Sequence, residues 1–175
     1  MQKVWEPGSN VRFELARRQA MNTKVDLKRG MPAQSLRCLE ALRKRGHSQC
    51  MAYLHPEFKL DFKLEDERVL TSQVTFTEKM TSFNRMVHGG LQSFLIDQAM
   101  TCALMGVGVF AATCELNLRY RSSVEVGMPV TIRVWVERRY RTIYEVEAEL
   151  LQADKICTHA HAKFFEQDLK SEGDA

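Results

Sequence analysis

The sequence predicts an α+β domain: one long buried helix wrapped by a curved antiparallel sheet of five to six strands, preceded by a short helical extension. Three observations predict it. Residues 89–106 are apolar at nearly every step, without alternation, which marks a buried helix. Several other segments alternate apolar and polar residues one by one, as half-buried strands do. Charge is also divided unevenly: residues 1–50 hold eleven Lys or Arg against four acids, and the remainder fourteen against eighteen.

At 175 residues the chain has the length of one domain and can bury a core without disulfides or metal. Five cysteines, odd in number and without a CxxC pair, argue against a secreted disulfide framework, and no basic-then-apolar leader precedes them; a cytoplasmic location is expected. The long apolar stretch 87–114 contains Asp97 and several glycines, so it reads as core rather than membrane span. A net charge of +3 and a pI near 8.6 are too mild to imply nucleic acid.

Pro7, Gly8, Gly30 and Pro32 punctuate the first third, and the expected division is a basic helical extension over 1–45, a main domain over 46–168 and a frayed polar tail over 169–175. Short helices are expected over Val11 to Met21 and Ala33 to Arg45, the second with a leucine stripe at Leu36, Leu39 and Leu42. Phe58, Leu60, Phe62 and Leu64 alternate against Lys59, Asp61 and Lys63 and predict a first strand, joined by the turn 65–68 to a second from Val69 to Phe76. Four more strands follow the helix: 114–120, 130–136, 146–150 and Ile156 to Phe165. Their one-sided apolar faces need a cover, and the helix is the only long apolar segment that supplies it.

Within that helix, 100° per residue places Ser93, Asp97 and Thr101 on one stripe. Asp97 is the helix's only charge. A carboxylate inside an apolar surround costs several kcal/mol unless paired or put to use, so Asp97 is either held by neighbouring hydroxyls or an oligomer contact, or it is a partly desolvated base or nucleophile. Immediately upstream stand His88, Gly89 and Gly90. Two glycines at a helix start leave backbone N–H groups open to a ligand oxygen at the positive end of the helix dipole, an arrangement able to stabilise an oxyanion. The carboxylate lies about two turns, or ~11 Å, further along the axis. The two groups meet on one substrate only if a second copy lays its helix alongside.

Val87-His88-Gly89-Gly90 followed by an apolar run to Asp97-Gln98-Ala99-Met100, with Thr113 to Tyr120 and the turn to Pro129 downstream, resembles the HGG…DxAM helix and following strand of hotdog-fold acyl-CoA thioesterases of the PaaI-like branch. The resemblance covers about residues 49–165. It implies a hotdog domain working as a homodimer or dimer of dimers with acyl-CoA sites at the subunit interface and no cofactor or metal. It implies that Asp97 activates water or attacks the thioester, that the Gly89 N–H polarises its carbonyl, and that Thr113 helps place the water. His88 fixes the loop, and Asn84 stands near the family asparagine, although Arg85-Met86 replaces the glycine found there in many relatives. Gly90, Ser93, Phe94 and Thr101 are candidates for lining the substrate, and Arg119 for a CoA phosphate.

Cys157, His159 and His161 alternate onto one strand face with Lys163, a poor metal set, and no metal is expected. Thioester hydrolysis is the reading the residues favour. The competing one is a non-catalytic acyl-CoA or acyl-carrier sensor that signals through the basic extension.

Overall fold

The computed structural model describes residues 35–65 and 68–167. The helix expected over 11–21 and the tail over 169–175 lie outside the described residues. Among the described residues three α-helices, α1 (Ser35–Gly46), α2 (Met51–Leu54) and α3 (Gly89–Gly106), accompany eight strands. These are β1 (Lys63–Glu65), β2 (Val69–Thr75), β3 (Thr81–Phe83), β4 (Met86–Val87), β5 (Ala111–Tyr120), β6 (Pro129–Tyr140), β7 (Ile143–Gln152) and β8 (Lys155–Glu166). Six strands form one antiparallel sheet in the order β1-β2-β6-β7-β8-β5, and β3 and β4 form a separate hairpin.

The alternation of β6, β7 and β8 is resolved as a buried inner face and an outer charged one. Val130, Ile132, Val134 and Val136 of β6, Val146, Ala148 and Leu150 of β7, and Ala160, Ala162 and Phe164 of β8 are buried. Ala148 lies opposite Ala160 and Val146 opposite Ala162, and these small side chains leave room for α3 to lie close against the sheet. Leu95, Ile96, Ala99, Met100, Ala103 and Leu104 of α3 fill that space, all fully buried. On the outer face, acids of β7 stand between bases of its neighbours: Glu145 with Arg138 (2.6 Å), Glu149 with Arg133 (3.3 Å) and Glu147 with His159 (3.1 Å). The bidentate Arg138 guanidinium holds the Glu145 carboxyl below its ordinary range, whereas burial pushes that of Glu147 up.

Helix α1 covers another side of α3. Leu39 and Leu42 join the core, and the buried Arg43 donates from Nη2 to the Leu60 carbonyl (3.0 Å) and to Cys102 Sγ (3.1 Å) on α3. Among the described residues no helix is long and apolar enough to cross a membrane.

The first predicted strand is the main correction. Its alternation is real, since Leu60 is buried while Lys59, Asp61 and Lys63 are exposed. Yet Pro56–Phe58 form a 3-10 turn, and only Lys63–Glu65 pair with β2. Proline starts the turn by fixing φ. Phe58 then packs edge-on against Phe94 of α3, 5.4 Å between ring centroids, so this segment is apolar because it lies on the helix rather than in the sheet. A smaller correction concerns Cys157. A register shift leaves it as the extra residue of a bulge in β8, and it is buried, off the face that His159 and His161 share.

Candidate active site

Residues of α3 reach the site by the helical repeat, and the expected stripe is present: Ser93, Asp97 and Thr101 are each half-buried on a helix whose other residues are buried from Leu95 onward. Two of its three polar side chains turn back onto the helix. Ser93 Oγ donates to the Gly90 carbonyl (2.8 Å) and Thr101 Oγ1 to that of Asp97 (3.0 Å). The hydroxyl that meets the carboxylate comes instead from β5: Thr113 Oγ1 donates to Asp97 Oδ1 at 2.7 Å. Asp97 Oδ2 has no hydrogen bond among the described residues.

A bulge brings Thr113 there. Strict alternation puts Thr113 on the outer face with Glu115, Asn117 and Arg119, away from α3. Between Thr113 and Glu115 the pairing with β8 slips, two steps on β5 matching one from Phe164 to Lys163. The slip at Cys114 reverses the facing of everything before it, so Thr113 turns toward the helix. Leu116 and Leu118 remain packed on the core and Tyr120 continues on their side. Arg119 stays on the outer face, opposite His159, and is not brought beside Asp97 or Gly89 within the chain.

At the other end of the stripe, His88 is the N-cap of α3. Its Nδ1 accepts from the Gly90 N–H at 3.0 Å, and its carbonyl takes the N–H groups of Leu91 (3.0 Å) and Gln92 (3.2 Å). The Gly89 N–H alone in that first turn has no partner among the described residues. The two glycines differ in what demands them. A Cβ on Gly90 meets His88 Nδ1 at 3.1 Å, tighter than ordinary contact, whereas one on Gly89 meets the Tyr120 ring at an ordinary 3.5 Å. Among the described residues nothing requires position 89 to be bare.

Asn84 sits in the two-residue turn between β3 and β4, where it and Arg85 have φ of 46° and 60°. That is the left-handed pair such hairpins need and asparagine tolerates. No hydrogen bond joins Asn84 to Asp97, Gly89 or Thr113 among the described residues. Phe94 is committed to Phe58. His159 and His161 face Glu147 and Glu145, and the described residues hold no cluster of three side chains able to bind a metal.

Two anchoring side chains escaped sequence reasoning. Tyr120 Oη donates to the Gly89 carbonyl at 2.9 Å; its place on the face of Leu116 and Leu118 was a usable signal. Buried Gln92 donates to the Val87 carbonyl (3.2 Å) and accepts from Thr158 Oγ1 (2.7 Å), tying the helix start to β4 and β8. An amide in an apolar run was the clue.

With this geometry in place, comparison with known proteins is informative. The thioesterase superfamily profile matches residues 84–158, the span from the hairpin turn to the first third of β8. No curated protein matches in sequence. Among solved structures, the Escherichia coli PaaI protein from the phenylacetic acid degradation operon is 16% identical, with a TM-score of 0.66 over 79% of this chain and 97% of its own. Thioesterase superfamily member 2 from Mus musculus is 17% identical, with a TM-score of 0.61 over 78% and 98%. A hypothetical thioesterase from Streptococcus pneumoniae, solved with coenzyme A, is 14% identical, with a TM-score of 0.59 over 65% and 92%. It was also solved as alanine mutants of an aspartate and of a threonine sixteen positions apart. The central helix, the six-stranded sheet and these likenesses together establish that the chain has the hotdog fold, and residues 84–158 match the thioesterase superfamily profile.

Proposed function

We propose that the protein is an acyl-CoA thioesterase whose sites form between two copies of the chain. The observation that carries this reading is that β5 touches both halves of the site, with Thr113 on Asp97 at one end and Tyr120 on Gly89 at the other. Among the described residues β5 is also an edge strand of the large sheet with β8 as its one neighbour, and an edge of ten residues is a template for another strand. Antiparallel pairing of two β5 strands about a twofold at Asn117, with the bulge at Cys114 supplying the extra residue, sets Thr113 against Tyr120 of the partner subunit. Asp97 and Gly89 of the partner subunit then converge, although within one chain they are eight residues, about 12 Å of helix axis, apart.

In that site the Gly89 N–H of the partner subunit receives the thioester carbonyl oxygen and stabilises the oxyanion that forms on attack. Thr113 has given its only proton to Asp97 Oδ1, so its oxygen can only accept from a water. That water's other proton faces Oδ2, which makes Asp97 a general base rather than a nucleophile. Water adds to the carbonyl carbon while Asp97 takes its proton, the C–S bond breaks, and the proton passes to the departing CoA sulfur. Asp97 and Thr113 have the same separation as the aspartate and threonine exchanged in the pneumococcal protein, and that protein's coenzyme A points to a CoA thioester as substrate.

Thiol release from acyl-CoAs of short, medium, long and aromatic acyl groups tests this. Wild type is expected to turn over at least one of them and Asp97→Ala to lose about 10²–10⁴ in kcat, with both proteins sedimenting as dimers or larger. Full turnover by Asp97→Ala, or by a strict monomer, overturns the reading.

A further inference from the structure

The peptide unit joining Gly89 to Gly90 is gripped on both sides. Its carbonyl accepts from Tyr120 Oη at 2.9 Å and its N–H donates to His88 Nδ1 at 3.0 Å. Ser93 Oγ secures the next carbonyl, that of Gly90, at 2.8 Å. The side chains around this turn thus occupy its polar groups and leave the Gly89 N–H open. A helix start made of two glycines is otherwise the least restrained one a chain can build, and a donor that must be reoriented during the reaction loses much of its effect. The Tyr120 bond reaches across thirty-one residues from the end of β5, so it also ties the donor to the strand on which the opposite half-site is built.

We infer that Tyr120 is a positioning residue, whose hydroxyl fixes the first turn of α3 so that the Gly89 N–H points at the incoming thioester carbonyl. This rests on the thioesterase reading. The ring itself lies in ordinary contact with the space beside Gly89, so Tyr120→Phe keeps the packing and removes only the hydrogen bond.

The test compares the full-length wild type, Tyr120→Phe and Asp97→Asn on an acyl-CoA that the wild type hydrolyses. Tyr120→Phe is expected to lower kcat between about tenfold and a hundredfold while leaving KM and the melting temperature near wild type. A second readout separates orientation from general loosening: the infrared stretch of a carbonyl-labelled acyl-CoA bound to Asp97→Asn, which is expected to hold substrate without turnover. The downshift of that stretch on binding should shrink when Tyr120→Phe is added. An unchanged kcat and an unchanged stretch overturn the inference while leaving the thioesterase reading intact. If Asp97→Asn retains wild-type turnover, the thioesterase reading falls and this inference with it.

Discussion

Replacing Gly89 by alanine separates what the fold needs at that position from what the reaction needs. Gly89 is not among the residues with positive φ, so alanine fits the backbone. Its Cβ meets the Tyr120 ring at 3.5 Å, an ordinary contact. Alanine is favoured over glycine by about 1 kcal/mol in a helix interior and by less in the first turn, so the melting temperature should hold or rise by roughly 1–3 °C. The methyl group nevertheless stands beside the one open N–H, where the carbonyl oxygen must approach within hydrogen-bonding distance. Loss of such a donor costs about 10²–10³ in kcat. Gly90→Ala should show the reverse emphasis: its Cβ falls 3.1 Å from His88 Nδ1 and 3.2 Å from Cε1, displacing the cap, whose loss costs about 1 kcal/mol. Thermal melts and thiol-release kinetics on both variants read the two effects separately. Wild-type kcat/KM in a well-folded Gly89→Ala would refute the idea that a ligand oxygen comes to this turn.

Three further perturbations probe the supports of the site. Thr113→Val removes the 2.7 Å bond to Asp97 and should lower kcat about tenfold with little change in melting, since residue 113 is exposed in the single chain; equal kcat would deny Thr113 a part in aligning the carboxylate. Gln92→Leu strands the Val87 carbonyl and the Thr158 hydroxyl in the core and should cost roughly 2–3 kcal/mol, part of which the double change with Thr158→Val restores; a urea titration measures both. Tyr144 is buried, and desolvation pushes its hydroxyl from 10.0 to about 12, helped by the Glu166 charge. A pKa raised by folding gives stability that is complete below about 10 and is lost as pH climbs toward about 12. Tyr144→Phe should therefore flatten the alkaline end of the stability curve, and an unchanged slope there would contradict it.

What the residues revealed by themselves was whatever a period could carry. The run from Gly89 to Gly106 has too many apolar steps for a two-sided strand, and the structure makes it one helix with those bounds. The alternation over 130–136, 146–150 and 156–165 lies inside β6, β7 and β8. Short elements escaped because two or three residues contain no period: the β3–β4 hairpin is recognisable only from its Asn84 turn. The segment around Leu60 misled because one buried residue between exposed neighbours looks alike whether a chain lies on a helix or in a sheet. For the site, residue type was legible and aim was not. Asp97, Gly89 and Thr113 stand out by chemistry, yet strict alternation points Thr113 away from Asp97. The slip that reverses it is decided by how β5 registers against β8, forty to fifty residues later, and no local pattern encodes that.

The position of Asp97 follows from where the chain's own coverage of α3 ends. An almost wholly apolar helix must be covered on every side. β6, β7 and β8 cover one side with valines and alanines, and α1 with the segment around Phe58 covers another through Leu39, Leu42, Arg43 and the Phe58–Phe94 contact. Besides Gly89 and Phe94, the residues left half-exposed are Leu91, Ser93, Asp97 and Thr101, and the strand bordering them is β5, whose far edge is unpaired among the described residues. A carboxylate at the middle of this strip keeps enough water contact in the single chain to avoid the full cost of burial, while a second chain pairing with β5 withdraws it from solvent. In the proposed dimer, pairing and the creation of a desolvated base are one event, so mutations that weaken β5 pairing should lower activity in step with the dimer fraction, even where they lie far from Asp97.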